Sequence, residues 1–374
     1  VRAPVDLADP EERARVTSRL GELYAGRPVV LGPGTLADWS PWIARLRALG
    51  CPVLVVATAR GAGPVVAPDA VVEVTPAPAV RLSDELRRHD RLVRSLPDAA
   101  RAAIDRFDPE RRGVWRASAF VTSDAPIDDR LVRGGRPAAY LALEDKCRAD
   151  AAWEAAGIAR SPSRVVDVGD ADALARASAE LAGPGGVVWS GDGLSGGGDR
   201  VRRVASPRDQ VDARADLVQH CARVRVMPLL AGVPCSIHGL VLPGGTAVLR
   251  PVEIRTEPDP AGRFVARGLR TTWDPPDAGR AEMRAAARRV GDHLAAAHDY
   301  RGAFGVDGVL TADGFRPTEL NPRMSAGLQL LARAAPDLLA LLQDTLLAGE
   351  DPGLRPEDVE TLVPLMDGER QALP

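Results

Sequence analysis

The 374-residue sequence is 45% hydrophobic with a formal net charge of −3, enough apolar material for two or three domains with real cores and too much for a disordered chain. Near-balanced charge excludes the basic footprint of a dedicated nucleic-acid binder, and no apolar run approaches the roughly 18–20 residues that span a bilayer. No basic-then-apolar leader opens the sequence, and Cys51, Cys147, Cys221 and Cys235 show no metal-like spacing, which together predict a soluble, reducing, cytoplasmic protein without nucleic-acid or membrane partners.

In chain order, Asp9-Pro10-Glu11-Glu12 predicts a capped helix running to about Tyr24. The buried strand and glycine turn "RPVVLGPGT", a helix "SPWIARLRALG" capped by Ser40, and the buried strand "CPVLVVATA" follow. Strand, helix, strand with unbroken apolar strands is a parallel α/β unit, to which "VVEVTP" adds a strand. Residues from about 98 to 137 are rich in Arg, Asp and Pro and read as helix plus connecting loop. A second region opens with the helix "LEDKCRADAAWEAAGI", ended by Gly157. It continues with strand "RVVDV", helix "DADALARASAEL", strand "GGVVWS", the glycine-rich "GDGLSGGGD" and strand "RVRRV", a small α+β subdomain with a flap. The third region carries strands "RVRVMPLL", "CSIHGLVL" and "TAVLRPVEIR", then a long helix with Met283, Ala287, Val290 and Leu294 at helical spacing. The hairpin "GAFGVDGVLTADGFRPTELN" and the helix "DLLALLQDTLLA" complete it. The boundaries drawn are 1–140, 141–225 and 226–374.

The hairpin carries the most chemistry. Pairing its strands about Ala312-Asp313-Gly314 puts Asp307 across from Glu319, with Cβ atoms about 5 Å apart. Two bare carboxylates there repel and want a cation. Asn321, two residues on, shares their face and stands opposite Gly305. Two acids and an amide are hard oxygen ligands that suit Mg²⁺ bridging to phosphates. Arg323 is in phase with them. An exposed hairpin with solvated acids is the alternative.

In "GDGLSGGGD", the backbone of Gly196, Gly197 and Gly198 can face an anion, although the pattern is not a Walker loop and an ordinary flexible loop reads as well. Lys146 is the only lysine among 48 Lys and Arg residues. A lone lysine is usually solvated, but this one directly precedes the small subdomain. His238 reads as a satisfied structural histidine, with a base as the alternative, and Trp189 and Trp273 read as packing, with substrate platforms as the alternative.

An acid on a strand, a second acid twelve residues later and then "ELNPR" resembles the ATP-grasp superfamily. The resemblance extends upstream in order: "EDK…AGI" looks like the segment of the first ATP-binding lysine, "GGVVWSGDGLSGGGD" like the lid strand and phosphate loop, and "MPLLAG" like the adenine hinge. It covers about 140–330, with 1–140 resembling the preceding α/β domain. The implied fold class is therefore α/β and α+β: an N-terminal parallel α/β (pre-ATP-grasp) domain, then an ATP-grasp fold of two α+β subdomains.

By position, the resemblance implies that Asp307, Glu319 and Asn321 bind Mg²⁺ and that Arg323 stabilises the tetrahedral oxyanion. It further implies that Lys146 contacts the ATP phosphates under the 196–198 backbone, and that Met227, Pro228 and Leu230 hold adenine, through Pro228 C=O and Leu230 N–H. Where the family has a second lysine this chain has Ser190, with Arg200, Arg202 and Arg203 nearby in sequence as substitute cations. The hinge acid near Met227 is absent, and Pro234 stands where a further acid is usual. Among family members, the arrangement is similar to the atypical peptide ligases of actinobacterial peptide biosynthesis.

The implied activity is an ATP-dependent, ADP-forming carboxylate–amine ligase acting on small molecules, an amino acid or peptide among them, often as a homodimer. Arg250 and Arg255 are candidates to bind the substrate carboxylate, with solvated strand arginines as the competing reading. An ATP-grasp phosphotransferase and a non-catalytic nucleotide-binding protein are the rival functions.

Overall fold

The computed structural model describes residues 4–74, 82–193 and 198–373. The chain folds as two units, one of Asp9–Ala138 with Ala335–Gly353, the other of Val1–Ala8, Ala139–Ala334 and Leu354–Pro374.

In the first unit Asp9 caps helix α1 (Pro10–Gly21), accepting from the amides of Glu11 and Glu12 at 2.8 and 3.0 Å. Strand β1 (Val29–Thr35), helix α2 (Leu36–Ala48), β2 (Val53–Ala59) and β3 (Ala70–Glu73) follow. Helix α2 starts earlier than the expected Ser40 cap. Thr35 caps it by accepting from Asp38 N at 3.2 Å, while Ser40 sits inside the helix and donates to Leu36 O at 3.0 Å.

Helices α3 (Leu82–Arg94) and α4 (Asp98–Phe107) lead to two strands, β4 (Val114–Thr122) and β5 (Leu131–Arg136), where the sequence predicts a connecting loop. The five strands form one parallel sheet in the order β3-β2-β1-β4-β5. The loop expectation fails because the polar residues that suggest it are paired inside the fold. Arg116 on β4 stacks 4.0 Å over the Trp42 ring and meets Asp344 at 3.2 Å. Arg130 is buried against Asp108 and Asp128 at 2.8 and 2.6 Å.

A 3-10 turn (Ala138–Glu144) leads out of the first unit into the main stretch of the second, which continues with helix α5 (Ala149–Ala155). Lys146 therefore lies in the turn between them rather than on the predicted helix. Gly157 ends the segment as expected, at φ 64°. Strand β6 (Arg164–Asp167), helix α6 (Ala171–Leu181), β7 (Val187–Gly191), β8 (Val201–Val204), helix α7 (Pro207–Leu217) and β9 (Arg223–Pro228) form a four-stranded antiparallel sheet, order β6-β9-β7-β8, with two helices. Strand β9 was expected to open the third region. It belongs to this small sheet, where it pairs with both β6 and β7.

A larger antiparallel sheet takes the rest: β10 (Val233–Leu242), β11 (Gly245–Val248), β12 (Val252–Pro258), β13 (Phe264–Arg270), then helix α8 (Asp277–His298) and the hairpin β14 (Gly302–Thr311) and β15 (Gly314–Asn321). "TAVLRPVEIR" divides into β11 and β12 around Arg250-Pro251, since Pro251 has no N–H for a ladder. Helix α8 packs across β10, β11, β14 and β15 with Met283, Ala287, Val290 and Leu294 buried.

After α9 (Ala326–Leu331), helix α10 (Pro336–Leu347) belongs to the first unit, not to the third region as the sequence suggests. Its Asp344, fully buried, accepts from the Tyr24 hydroxyl at 2.6 Å, and Asp337 pairs with Arg45 at 2.8 Å. Helices α11 (Pro356–Glu360) and α12 (Val363–Gly368) and strand β16 (Ala372–Leu373), which pairs with β13, end the chain. No helix among the described residues is long and apolar enough to cross a membrane.

Candidate active site

The hairpin register is reached by a route the sequence does not show. The turn is two residues, Ala312-Asp313, with Thr311 opposite Gly314 and Gly308 opposite Pro317. The register then shifts by one between Gly308 and Asp307, so Asp307 stands opposite Glu319 and Gly305 opposite Asn321, as expected. Thr318 is the extra residue, a bulge.

The neighbouring strand β10 extends this pairing into two rows on one face of the sheet. Ser236, Asp307 and Glu319 form the first, and His238, Gly305 and Asn321 the second. The alternate residues Ile237, Val306 and Leu320 are buried on the other face. Gly305 keeps the second row open, since a Cβ there would lie 3.1 Å from His238 Cδ2.

The rows form a continuous polar network. Ser236 Oγ donates to Asp307 Oδ1 at 2.6 Å, and Asn321 Nδ2 donates to Asp307 Oδ2 at 3.0 Å. Arg323 Nη2 donates to Asn321 Oδ1 at 3.0 Å, and its Nε to Glu144 Oε1 at 2.7 Å. Lys146, only 5% exposed, sets Nζ 2.9 Å from Glu319 Oε1. Burial, aided by the Glu319 charge, pushes the Asp307 carboxyl up to about 6, against the pull of Ser236, Arg323 and Lys146.

The same network assigns the His238 tautomer. Ser236 spends its single proton on Asp307, so the 3.0 Å contact between Ser236 Oγ and His238 Nε2 requires the ring nitrogen to donate. Nε2 also lies 3.0 Å from Ser325 Oγ, and Nδ1 is buried without a hydrogen-bond partner among the described residues. Burial lowers the imidazole to about 3, so it is neutral, with its hydrogen on Nε2.

The residues present fit a hard divalent cation in donor chemistry: two carboxylates held face to face, one of them pushed up by burial and by the other's charge, beside an amide. Lys146 supplies positive charge to Glu319 here. Among the described residues no group of three His, Cys, Asp or Glu side chains could hold a metal by itself, so a cation here would need Asn321 or an outside ligand to complete its shell. Asn321 Oδ1 is turned to Arg323, so coordinating through it requires the amide to rotate.

The structure thus brings Lys146, Asp307, Glu319, Asn321 and Arg323 together. Ser190 is buried on β7, and its carbonyl lies 3.9 Å from the Cys147 thiol, next in sequence to Lys146. Met227 is buried on β9, while Pro228 at the strand end and Leu230 just beyond are half-buried. Gly196 and Gly197 lie outside the described residues. Gly198 adopts φ 77°, where a Cβ would come 2.8 Å from Phe264 O.

The arginines proposed from sequence are placed differently. Arg250 is buried and committed to Asp367 at 2.7 Å and Asp274 at 3.1 Å, neither of them in the carboxylate network. Arg255 is exposed on β12. Arg202 pairs with Asp216, Arg203 donates to Gly185 O at 3.1 Å, and Arg200 donates to Asp192 O at 2.6 Å.

Two contributors escape the sequence reading: Glu144 and Ser236. Glu144 is in the quoted "LEDK", two residues before Lys146, and Ser236 is in "CSIHG", two residues before His238.

No family model matches the sequence, and neither does any curated protein sequence. Solved structures do match. One is a carboxyaminoimidazole ribonucleotide synthase from Aspergillus clavatus complexed with ATP, 14% identical with a TM-score of 0.59, over 90% of this chain and 79% of that one. An L-amino acid ligase from Bacillus licheniformis is 13% identical with a TM-score of 0.57, over 89% and 78%. Phosphoribosylamine–glycine ligase from Thermotoga maritima is 14% identical with a TM-score of 0.55, over 87% and 76%. At these identities the likeness is one of fold.

Proposed function

The chain has the ATP-grasp fold, and on that premise we propose that it is an ATP-dependent carboxylate–amine ligase that forms an amide and releases ADP and phosphate. The observation that carries the reading is the row Asp307–Glu319 with Asn321 beside it and Lys146 and Arg323 against it. A face-to-face carboxylate pair is costly unless cations meet it, and a nucleotide with its metal brings them.

Asp307, Glu319 and Asn321 would hold Mg²⁺, with Ser236 fixing one Asp307 oxygen, and the ion would supply positive charge against the phosphates during transfer. Lys146 steadies the phosphates. Met227, Pro228 and Leu230 line the adenine edge. A substrate carboxylate oxygen attacks the γ-phosphorus, the bond to ADP breaks, and an acyl-phosphate forms. The amine nitrogen then attacks the acyl carbon, phosphate leaves, and the amine loses a proton. Arg323, braced by Glu144, faces the oxyanion of this second step. Of the two arginine candidates for a substrate carboxylate, Arg250 already serves two aspartates, and Arg255 is exposed on β12. A cytoplasmic, dimeric peptide ligase is the finer reading.

The test incubates purified protein with ATP, Mg²⁺ and pooled amino acids and reads ADP and product mass. An amide supports the ligase and a phosphoester indicates a phosphotransferase. Release of no ADP with any pair of substrates counts against both. Ser190 in place of the lid lysine favours a second reading, a nucleotide-binding protein without turnover. Tight Mg-ATP binding with no product would identify it.

A further inference from the structure

We infer, on the proposed reading of the carboxylate pair as a metal site, that Arg225 is a positioning residue that turns Glu319 onto the face of Asp307 by holding the bulge at Thr318. From the turn outwards the hairpin pairs Thr311 with Gly314, Leu310 with Phe315, Val309 with Arg316 and Gly308 with Pro317. Continued unbroken, that register sets Asp307 against Thr318 and Glu319 against Val306. Val306 points into the core and is fully buried, so Glu319 would point there too. The pairing of the two carboxylates therefore depends on one extra residue.

Three features hold that residue in place. Pro317, just before it, has no N–H to give to the ladder. Thr318 Oγ1 donates to Asp307 O at 3.2 Å. Thr318 O, which the bulge takes out of the ladder, accepts from Arg225 Nη1 at 3.2 Å. The Arg225 guanidinium is itself fixed. It is 0% exposed, and its Nε and Nη2 fork onto Asp150 Oδ2 and Oδ1 at 3.0 and 2.6 Å.

One planar group thus joins α5, β9 and β15, a geometry that a lysine ammonium cannot reproduce. A buried ion pair is weak evidence for stability, whereas setting registry is its best-attested use. The Arg225 guanidinium meets Asp150, Met227 and the Thr318 carbonyl, and acts on the two carboxylates through the backbone between them.

The experiment compares wild type with Arg225→Gln, using Mn²⁺ with ATP, read by electron paramagnetic resonance, and hydrogen exchange over residues 314–321. Arg225→Gln is expected to weaken Mn²⁺ at least ten-fold and to speed exchange at 318–321 at least ten-fold, leaving β10 unchanged. Arg284→Gln, which removes an ion pair to Glu360 elsewhere in the same unit, is expected to change neither. A folded Arg225→Gln protein with wild-type Mn²⁺ affinity and wild-type exchange overturns the inference. Should that variant not fold, Asp150→Asn loosens the same fork and is expected to move both readouts in the same direction; wild-type values there overturn it equally. If wild type itself takes no Mn²⁺ while exchange at 318–321 still rises in Arg225→Gln, the control of register stands and the metal reading falls.

Discussion

Lys146 Nζ lies 2.9 Å from Glu319 Oε1, so the sole lysine of the chain is the counter-ion of one of the two facing carboxylates. Its ammonium supplies positive charge where a metal and phosphates would bring theirs. Proposed phosphate binding therefore requires the lysine to be shared with or released from Glu319.

Lys146→Gln removes that charge. The expected result is a loss of about 1–3 kcal/mol of stability without metal, less than for a fully buried pair because Glu319 keeps partial solvent access. Mn²⁺ affinity without nucleotide is expected to rise several-fold, since the competing ammonium is gone. Thermal melting and a Mn²⁺ titration check both, and weaker Mn²⁺ binding would count against the counter-ion role.

Asp307→Asn separates metal binding from folding. Removing one of two like charges leaves the melting temperature of the metal-free protein unchanged or raised. Mn²⁺ affinity in the presence of ATP is expected to fall at least ten-fold, with turnover falling in step. Calorimetry of the folded variant with Mg-ATP is the measurement; undiminished binding would remove Asp307 from the site.

Stability against pH carries two opposed slopes. His238 is held at about 3 in the fold against 6.5 when free, so the unfolded chain binds the extra proton in that window. Stability from this group rises with pH and is lost as pH falls from 6.5 towards 3. Asp307 is held at about 6 against 3.8, so the native state binds the extra proton, and stability is lost as pH rises from 3.8 through 6. Each slope is at most about 1.4 kcal/mol per pH unit. Relative to wild type without metal, Asp307→Asn is expected to gain stability as pH rises between these values, and His238→Gln to lose it. Denaturant midpoints at several pH values measure the differences, and parallel curves would contradict both assignments.

Asp344→Ala tests the first unit. It strands the Arg116 guanidinium and the Tyr24 hydroxyl, at an expected cost of about 3–5 kcal/mol. Mn²⁺ affinity per folded molecule is expected to stay at the wild-type value. Urea unfolding and Mn²⁺ titration distinguish this from an effect on the site.

The features readable in the sequence are those with a period. The parallel strands β1 and β2 show as unbroken apolar runs, and Asp307, Glu319 and Asn321 show through the spacing of a hairpin. The features that stay hidden are polar groups buried by partners far along the chain. Arg116 and Arg130 make β4 and β5 look like loop, because nothing local reveals Trp42, Asp344 or Asp108. The Thr318 bulge is hidden for a related reason. A two-residue turn plus a bulge and a three-residue turn without one give the same facing pair, and only the pairing nearer the turn distinguishes them. Helix α10 is visible as a helix, but its unit is not, because amphipathic spacing names a face and not its partner.

The return of α10 to the first unit also bears on how this protein can be divided. A fragment cut after residue 138 contains every strand of the parallel sheet yet lacks Asp337 and Asp344, which meet Arg45, Arg116 and Tyr24. Such a piece is expected to be insoluble or molten when expressed alone. A fragment meant to hold the first unit together would have to carry residues 335–353 along with it.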